Sequence, residues 1–130
     1  MKLPDNLPVF GTTDKNDTAS ESQHAITFFN KLRREYPEYG AIATHIRNEG
    51  KRTNAQVQKQ KAEGMTTGTA DIIIPCNPPF VCEMKSRNPR ATISPEQIEY
   101  LLQAQKIGAF ACVALGYEGA FEAFLKCIKK

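Results

Sequence analysis

The sequence predicts an α/β (α+β) domain with a mixed central sheet flanked by helices, and three observations carry that prediction. Short β-branched or apolar runs stand at Asp71-Ile72-Ile73-Ile74-Pro75, at Phe80-Val81-Cys82-Glu83-Met84-Lys85 and from Ala109 to Leu115, with the length and composition of strands. Capping-box signatures, Ser20-Glu21-Ser22-Gln23 and Ser94-Pro95-Glu96-Gln97, open segments of helical periodicity around those runs. The chain has 130 residues, 41% hydrophobic and 24% charged, which suits one domain with one core.

Residues 1–17 hold Pro4, Pro8 and Gly11 among scattered Asp and Asn. They read as a flexible N-terminal arm ahead of a single domain over 18–130. A helix begins near Ser20. Ser22, Ile26, Phe29, Arg33 and Tyr36 mark one spaced row, with Ala25 and Leu32 adding to an apolar stripe. Tyr39-Gly40 breaks the helix, and Ala41 to Ile46 is a short strand. Thr53 to Glu63 is helical in composition, with Thr53-Asn54-Ala55-Gln56 as capping box, Gly64 as C-cap and little core face. The two strand runs after it are joined by Cys76-Asn77-Pro78-Pro79, whose prolines stop pairing and help fold the second run back on the first.

Ser94 and Pro95 then open a helix to about Lys106, with Ile98, Leu101 and Leu102 inward. Gly108 ends it. Ala109 to Leu115 is wholly apolar, as in a sheet interior covered on both faces. Gly116 and Gly119 flank a turn into a last helix with Phe121, Phe124, Leu125 and Ile128 on its apolar face. The predicted order is α-β-(α)-β-β-α-β-α, with no internal repeat.

Composition excludes several classes. No run approaches the length of a membrane span, and Met1-Lys2-Leu3-Pro4-Asp5 lacks the apolar core of a signal peptide. The expected setting is cytoplasmic: a bacterial or viral-host cytoplasm, or the nucleoid. The four cysteines form no CxxC pair, which argues against a zinc site and for reduced, buried thiols. There is no nucleotide-binding glycine fingerprint and no Ser/His/Asp arrangement of recognisable spacing. Net charge is only +3, but residues 31–63 carry eight Lys/Arg against four acids, while the first 30 carry two lysines against four. A basic middle suits a polyanionic partner.

The chemistry concentrates in the two adjacent strands. Period-two alternation puts Glu83 and Lys85 on one face and Phe80, Cys82 and Met84 on the other. Folding the strands together brings Asp71 and Glu83 beside one ammonium at the edge of an apolar sheet. Mg²⁺ takes one or two carboxylates plus phosphate oxygens, so the set suits phosphodiester cleavage. His45, Arg47, Asn48, Lys51 and Arg52 form a polar cluster able to track a DNA backbone, with Lys59 and Lys61 in the same role. Gly64 and Gly68 permit backbone amides to approach phosphate, as any loop glycine would. No aromatic row suggests a platform for stacking single-stranded bases.

Together, Gly64 to Asp71, Glu83-Met84-Lys85 and Ser94-Pro95-Glu96-Gln97 resemble the PD-(D/E)XK nuclease superfamily, and more closely its virus-type replication-repair (VRR-NUC) branch. That branch reads as a glycine-rich segment into Pro-Asp, then Glu-x-Lys, then Ser-x-x-Gln opening a helix, then a Gly-bounded strand. The resemblance covers about residues 45 to 115. Ala70 stands where the family has proline, a backbone element and not a ligand.

The resemblance implies a restriction-endonuclease-like αβββαβ core and a metal-dependent DNA endonuclease, with branched or junction DNA among its substrates. Asp71, Glu83 and the backbone carbonyl of Met84 would hold Mg²⁺ or Mn²⁺, and Lys85 would handle the attacking water or the phosphoryl charge. Glu21 matches the acid that such nucleases bring from the first helix, although the helix dipole alone favours an acid there. Gln97 matches the family's glutamine, and it also sits where a capping box would put it. Relatives built of little more than this domain imply a homodimer. The alternatives are a non-catalytic DNA-binding or assembly module on the same fold, or a nickase, flap or restriction-like nuclease.

Overall fold

The computed structural model describes residues 1–46 and 53–129. In chain order the elements are β1 (Val9–Phe10), α1 (Glu21–Glu35), α2 (Pro37–Gly40), β2 (Thr44–His45), α3 (Asn54–Ala62), β3 (Ile72–Ile74), β4 (Phe80–Lys85), α4 (Pro95–Lys106), β5 (Phe110–Leu115) and α5 (Gly116–Ile128). Among the described residues the strands form one mixed sheet in the order β1-β5-β4-β3-β2. β1 and β4 run parallel to β5, whereas β3 is antiparallel to both β4 and β2. This is the mixed sheet with flanking helices that the sequence predicts. No described helix is long and apolar enough to cross a membrane.

The sheet is covered on both faces. On one, Phe80, Cys82 and Met84 pack with Phe28 and Leu32 of α1 and Phe124 of α5. On the other, Val81, Ala111 and Val113 pack against Leu101 of α4 and Leu7. Phe28, Phe80 and Phe124 are fully buried, each contributing about 1.5–3 kcal/mol from burial. Covering both faces explains why β5 contains no polar residue.

Three predicted helices start on their predicted caps. Ser20, Thr53 and Ser94 each accept from the backbone N–H three residues on, while Gln23, Gln56 and Gln97 return the bond to the cap backbone. As expected, α3 buries none of its residues.

Four features differ from expectation. Residues 1–17, expected as an arm, contain β1 at the sheet edge and the buried Leu7. The backbone N–H of Asp14 also donates to the Arg87 carbonyl at 2.7 Å. The strand expected over Ala41 to Ile46 shortens to Thr44–His45. α5 begins at Gly116 directly after β5, so Gly119 lies inside the helix instead of a turn. A Cβ at Gly119 would stand 2.5 Å from the Phe10 carbonyl oxygen, so the glycine lets β1 approach α5. Finally, the predicted stripe of α1 splits: Ala25, Phe28, Phe29 and Leu32 face the core, whereas Ile26 and Arg33 are exposed.

Candidate active site

The register of the β3–β4 hairpin assembles the site. Ile74 pairs with Phe80, Ile73 with Val81 and Ile72 with Cys82, so one further step sets Asp71 beside Glu83. A one-residue slip would send the two acids to opposite faces. Glu83 and Lys85 lie at the C-terminal end of β4, the third of the five strands. Both are buried, at 1% and 8% exposure.

Asp71 accepts the backbone N–H of Met84 through Oδ2 at 3.1 Å. In an antiparallel ladder a residue's N–H and C=O point toward the same neighbouring strand, so the Met84 carbonyl faces the side on which Asp71 lies. Lys85 Nζ stands 3.5 Å from Glu83 Oε2 and donates to Gln97 Oε1 at 3.3 Å. Gln97 Nε2 donates to Glu83 Oε2 at 3.2 Å. Gln97 is therefore both the partner of Ser94 in the capping box of α4 and the clamp on the Glu83–Lys85 pair.

Electrostatically the site is short of positive charge. Glu83 is pushed up to about 9, first by burial and then by its hydrogen bond and repulsion with Asp71, against which Lys85 pulls down. Its Oε1 is sealed from solvent and meets no donor. Two acceptor-only carboxylates within reach of each other require a proton or a cation between them. Glu21 feels the same site: desolvation raises its pKa, Lys85 lowers it, and Asp71 raises it.

That arrangement fits a hard divalent cation. Among the described residues no group of three or more His, Cys, Asp or Glu is arranged as a ready-made cage. Mg²⁺ does not require one, since it binds through one or two carboxylates and completes its shell with water and phosphate. Asp71 and Glu83 supply that minimum, with Glu21 as a third acid at the rim.

A cleft of about 640 Å³ opens over these residues. Glu21 and Ser22 from the first turn of α1, and Gln97 from the first turn of α4, line it together with Asp71, Glu83 and Lys85. Two helix N-termini thus border the carboxylates, with partial positive charge suited to an anion.

The other predicted site residues fall into four groups. His45 lines the cleft, its ring 6.0 Å from that of Phe29. Arg47, Asn48, Lys51 and Arg52 lie outside the described residues. Lys59 and Lys61 are exposed on α3, and Lys61 borders a smaller pocket of about 210 Å³ that shares Gln97 with the cleft. Gly68 has another reason for being glycine. Its φ is +77°, and a Cβ there would lie 2.4 Å from the Glu96 carbonyl oxygen, so it seats the loop on the start of α4. The sequence reading missed Asn30 and Arg33, which also line the cleft. Arg33 belongs to the Ser22–Ile26–Phe29–Arg33 row, whose exposed members line the cleft, whereas nothing in the sequence marks Asn30.

These features define a fold with a buried acid pair at the end of its central strand. The fold is that of a VRR_NUC domain protein. A solved VRR_NUC domain protein superposes on it with a TM-score of 0.69 at 18% identity, covering 85% of this chain and 89% of its own. No family model and no curated protein matches the sequence.

Proposed function

We propose that this chain is a divalent-metal-dependent DNA endonuclease that hydrolyses phosphodiester bonds. The observation that carries the reading is the Asp71–Glu83–Lys85–Gln97 cluster: two adjoining acids, one with a buried oxygen that meets no donor, tied to a lysine at the floor of an open cleft. Asp71 and Glu83 would hold Mg²⁺ or Mn²⁺, with the Met84 carbonyl as a further oxygen and Glu21 at the rim. When bound, the ion polarises the scissile phosphate and lowers the pKa of a water. Lys85 compensates charge building on the phosphoryl oxygens, or orients and deprotonates the water. Gln97 fixes Lys85 and Glu83 relative to each other. Exposed lysines of α3 neutralise backbone phosphate.

We further propose that the substrate is branched or otherwise interrupted DNA and that the working unit is a homodimer. One acid cluster per chain serves one strand, and a two-fold axis supplies the second. The test is incubation of purified protein with plasmid, linear duplex, flap and four-way-junction DNA, in Mg²⁺, Mn²⁺ or chelator. Metal-dependent cleavage favouring the interrupted substrates is expected. Absence of cleavage in every arm would remove the reading.

A further inference from the structure

The cleft extends well past the acids, and α1 forms one of its walls. Residues from Glu21 to Arg33 line it, a helical span of about 18 Å at 1.5 Å per residue. A stacked strand rises about 3.4 Å per nucleotide, so the wall is about five nucleotides long. Its middle carries Ile26, which is 58% exposed, with Ile46 and the exposed Asn30 also on the lining. At its far end three planar groups meet. The Arg33 guanidinium carbon lies 5.3 Å from the Phe29 ring centroid, and the His45 ring lies 6.0 Å from the same ring at 42°. Arg33 and His45 are exposed above the nearly buried Phe29.

We propose that the α1 wall is the track for an unpaired nucleic-acid strand, with the Arg33–Phe29–His45 group as a stacking site for one of its bases. This deepens the nuclease reading and rests on it for the cleavage point at Asp71 and Glu83. Base faces are exposed in a single strand and hidden in a duplex. An exposed apolar side chain followed by a flat cation and an imidazole suits those faces, whereas a duplex presents its phosphates. Continuity with the acids directs the strand's backbone to the Lys85 end.

The test is fluorescence anisotropy with a labelled single-stranded oligonucleotide and the blunt duplex of the same sequence. Chelator is used in one arm and Ca²⁺, a hard oxygen-seeking ion, in the other. Wild type should bind the single strand more tightly than the blunt duplex. Arg33→Ala and His45→Ala should each weaken the single strand about tenfold, equivalent to about 1.4 kcal/mol, and the duplex far less. Arg33→Lys keeps the charge but loses the plane, so it should behave like Arg33→Ala.

Unchanged single-strand binding in the alanine variants overturns the proposal, as does equal loss on both substrates or full rescue by lysine. The two readings separate cleanly. Loss of single-strand binding in these variants, in a protein that never cleaves DNA, would keep the track and remove the nuclease. Cleavage with unaltered binding would do the reverse.

Discussion

Gln97 donates from Nε2 to Glu83 Oε2 at 3.2 Å, and the opposite end of the same amide cannot turn away. Its Oε1 accepts the backbone N–H of Ser94 at 3.0 Å and the Lys85 ammonium at 3.3 Å. Flipping the amide would point its NH₂ at two donors and its oxygen at a carboxylate. The cap of α4 therefore sets which face Gln97 shows to Glu83, linking a local folding signal to the site's electrostatics.

Substitutions at Gln97 separate those roles. Gln97→Ala should cost about 1 kcal/mol through the lost hydrogen bond to the Ser94 N–H and lower cleavage about 10–100-fold, as for groups that orient metal ligands. Gln97→Glu retains an acceptor for Ser94 and Lys85 but sets a carboxylate against Glu83. Its melting temperature should exceed that of Gln97→Ala while cleavage stays as low. Wild-type rates in Gln97→Glu would show that the donated hydrogen bond is unimportant.

The Glu83 carboxyl makes metal-free stability depend on pH in a defined direction. Unfolded, it titrates near 4.5; folded, it is held up to about 9 by burial and by Asp71. Between those values the native state keeps a proton that the unfolded chain has lost, so stability falls as pH rises across the window. Glu83→Gln removes this dependence. In chelator its melting temperature should decline less than wild type from pH 5 to 9, with wild type the less stable at the alkaline end. Mg²⁺ should raise the wild-type melting temperature at pH 8 more than that of Glu83→Gln. Parallel pH profiles for the two proteins would contradict the assignment.

Gly68 and Gly64 provide a matched pair. Both have positive φ, but a Cβ at Gly64 meets nothing within 4 Å, whereas at Gly68 it would strike the Glu96 carbonyl. Gly64→Ala should cost about 1 kcal/mol of left-handed strain. Gly68→Ala should cost about 1–3 kcal/mol more through overpacking and should lower cleavage by moving α4 and Gln97. Equal melting temperatures for the two variants would argue against that packing role.

Arg87 anchors the N-terminal segment. Its side chain donates to the Thr12 carbonyl at 3.0 Å and to Thr12 Oγ1 at 3.2 Å, with carboxylates of Asp14, Asp17 and Glu118 at 3.7–3.9 Å. Arg87→Ala should destabilise the protein by about 1–3 kcal/mol and expose residues 12–17 to limited proteolysis. Unchanged cleavage there would mean that β1 alone secures the segment.

What the sequence shows by local chemistry, the structure largely repeats. Ser20, Thr53 and Ser94 announce their helices because a cap and its partner lie three residues apart. Asp71 and Glu83 are legible as a pair because a short proline turn leaves their strands little choice of partner. Contacts across the chain are where legibility ends. Val9 pairs with Val113, and two residues of strand carry no periodicity to reveal it. The Ser22–Ile26–Phe29–Arg33 row marks a face of α1, but periodicity does not say whether that face meets core or cleft. Phe29 and His45, sixteen residues apart in sequence, become neighbours only when β2 joins the sheet edge.

Single-turnover cleavage of a labelled flap or junction substrate decides whether Asp71 and Glu83 together form a metal-dependent cleavage centre. Wild type, Asp71→Ala, Glu83→Ala and the double variant are compared in Mg²⁺ and in chelator, after each fold is verified by melting. Cleavage is expected from wild type in Mg²⁺ only. Each single variant should lose nearly all activity, and the double variant should be little worse than either, because the two acids act as one unit. Full activity in the double variant, or wild-type cleavage that persists in chelator, would contradict it.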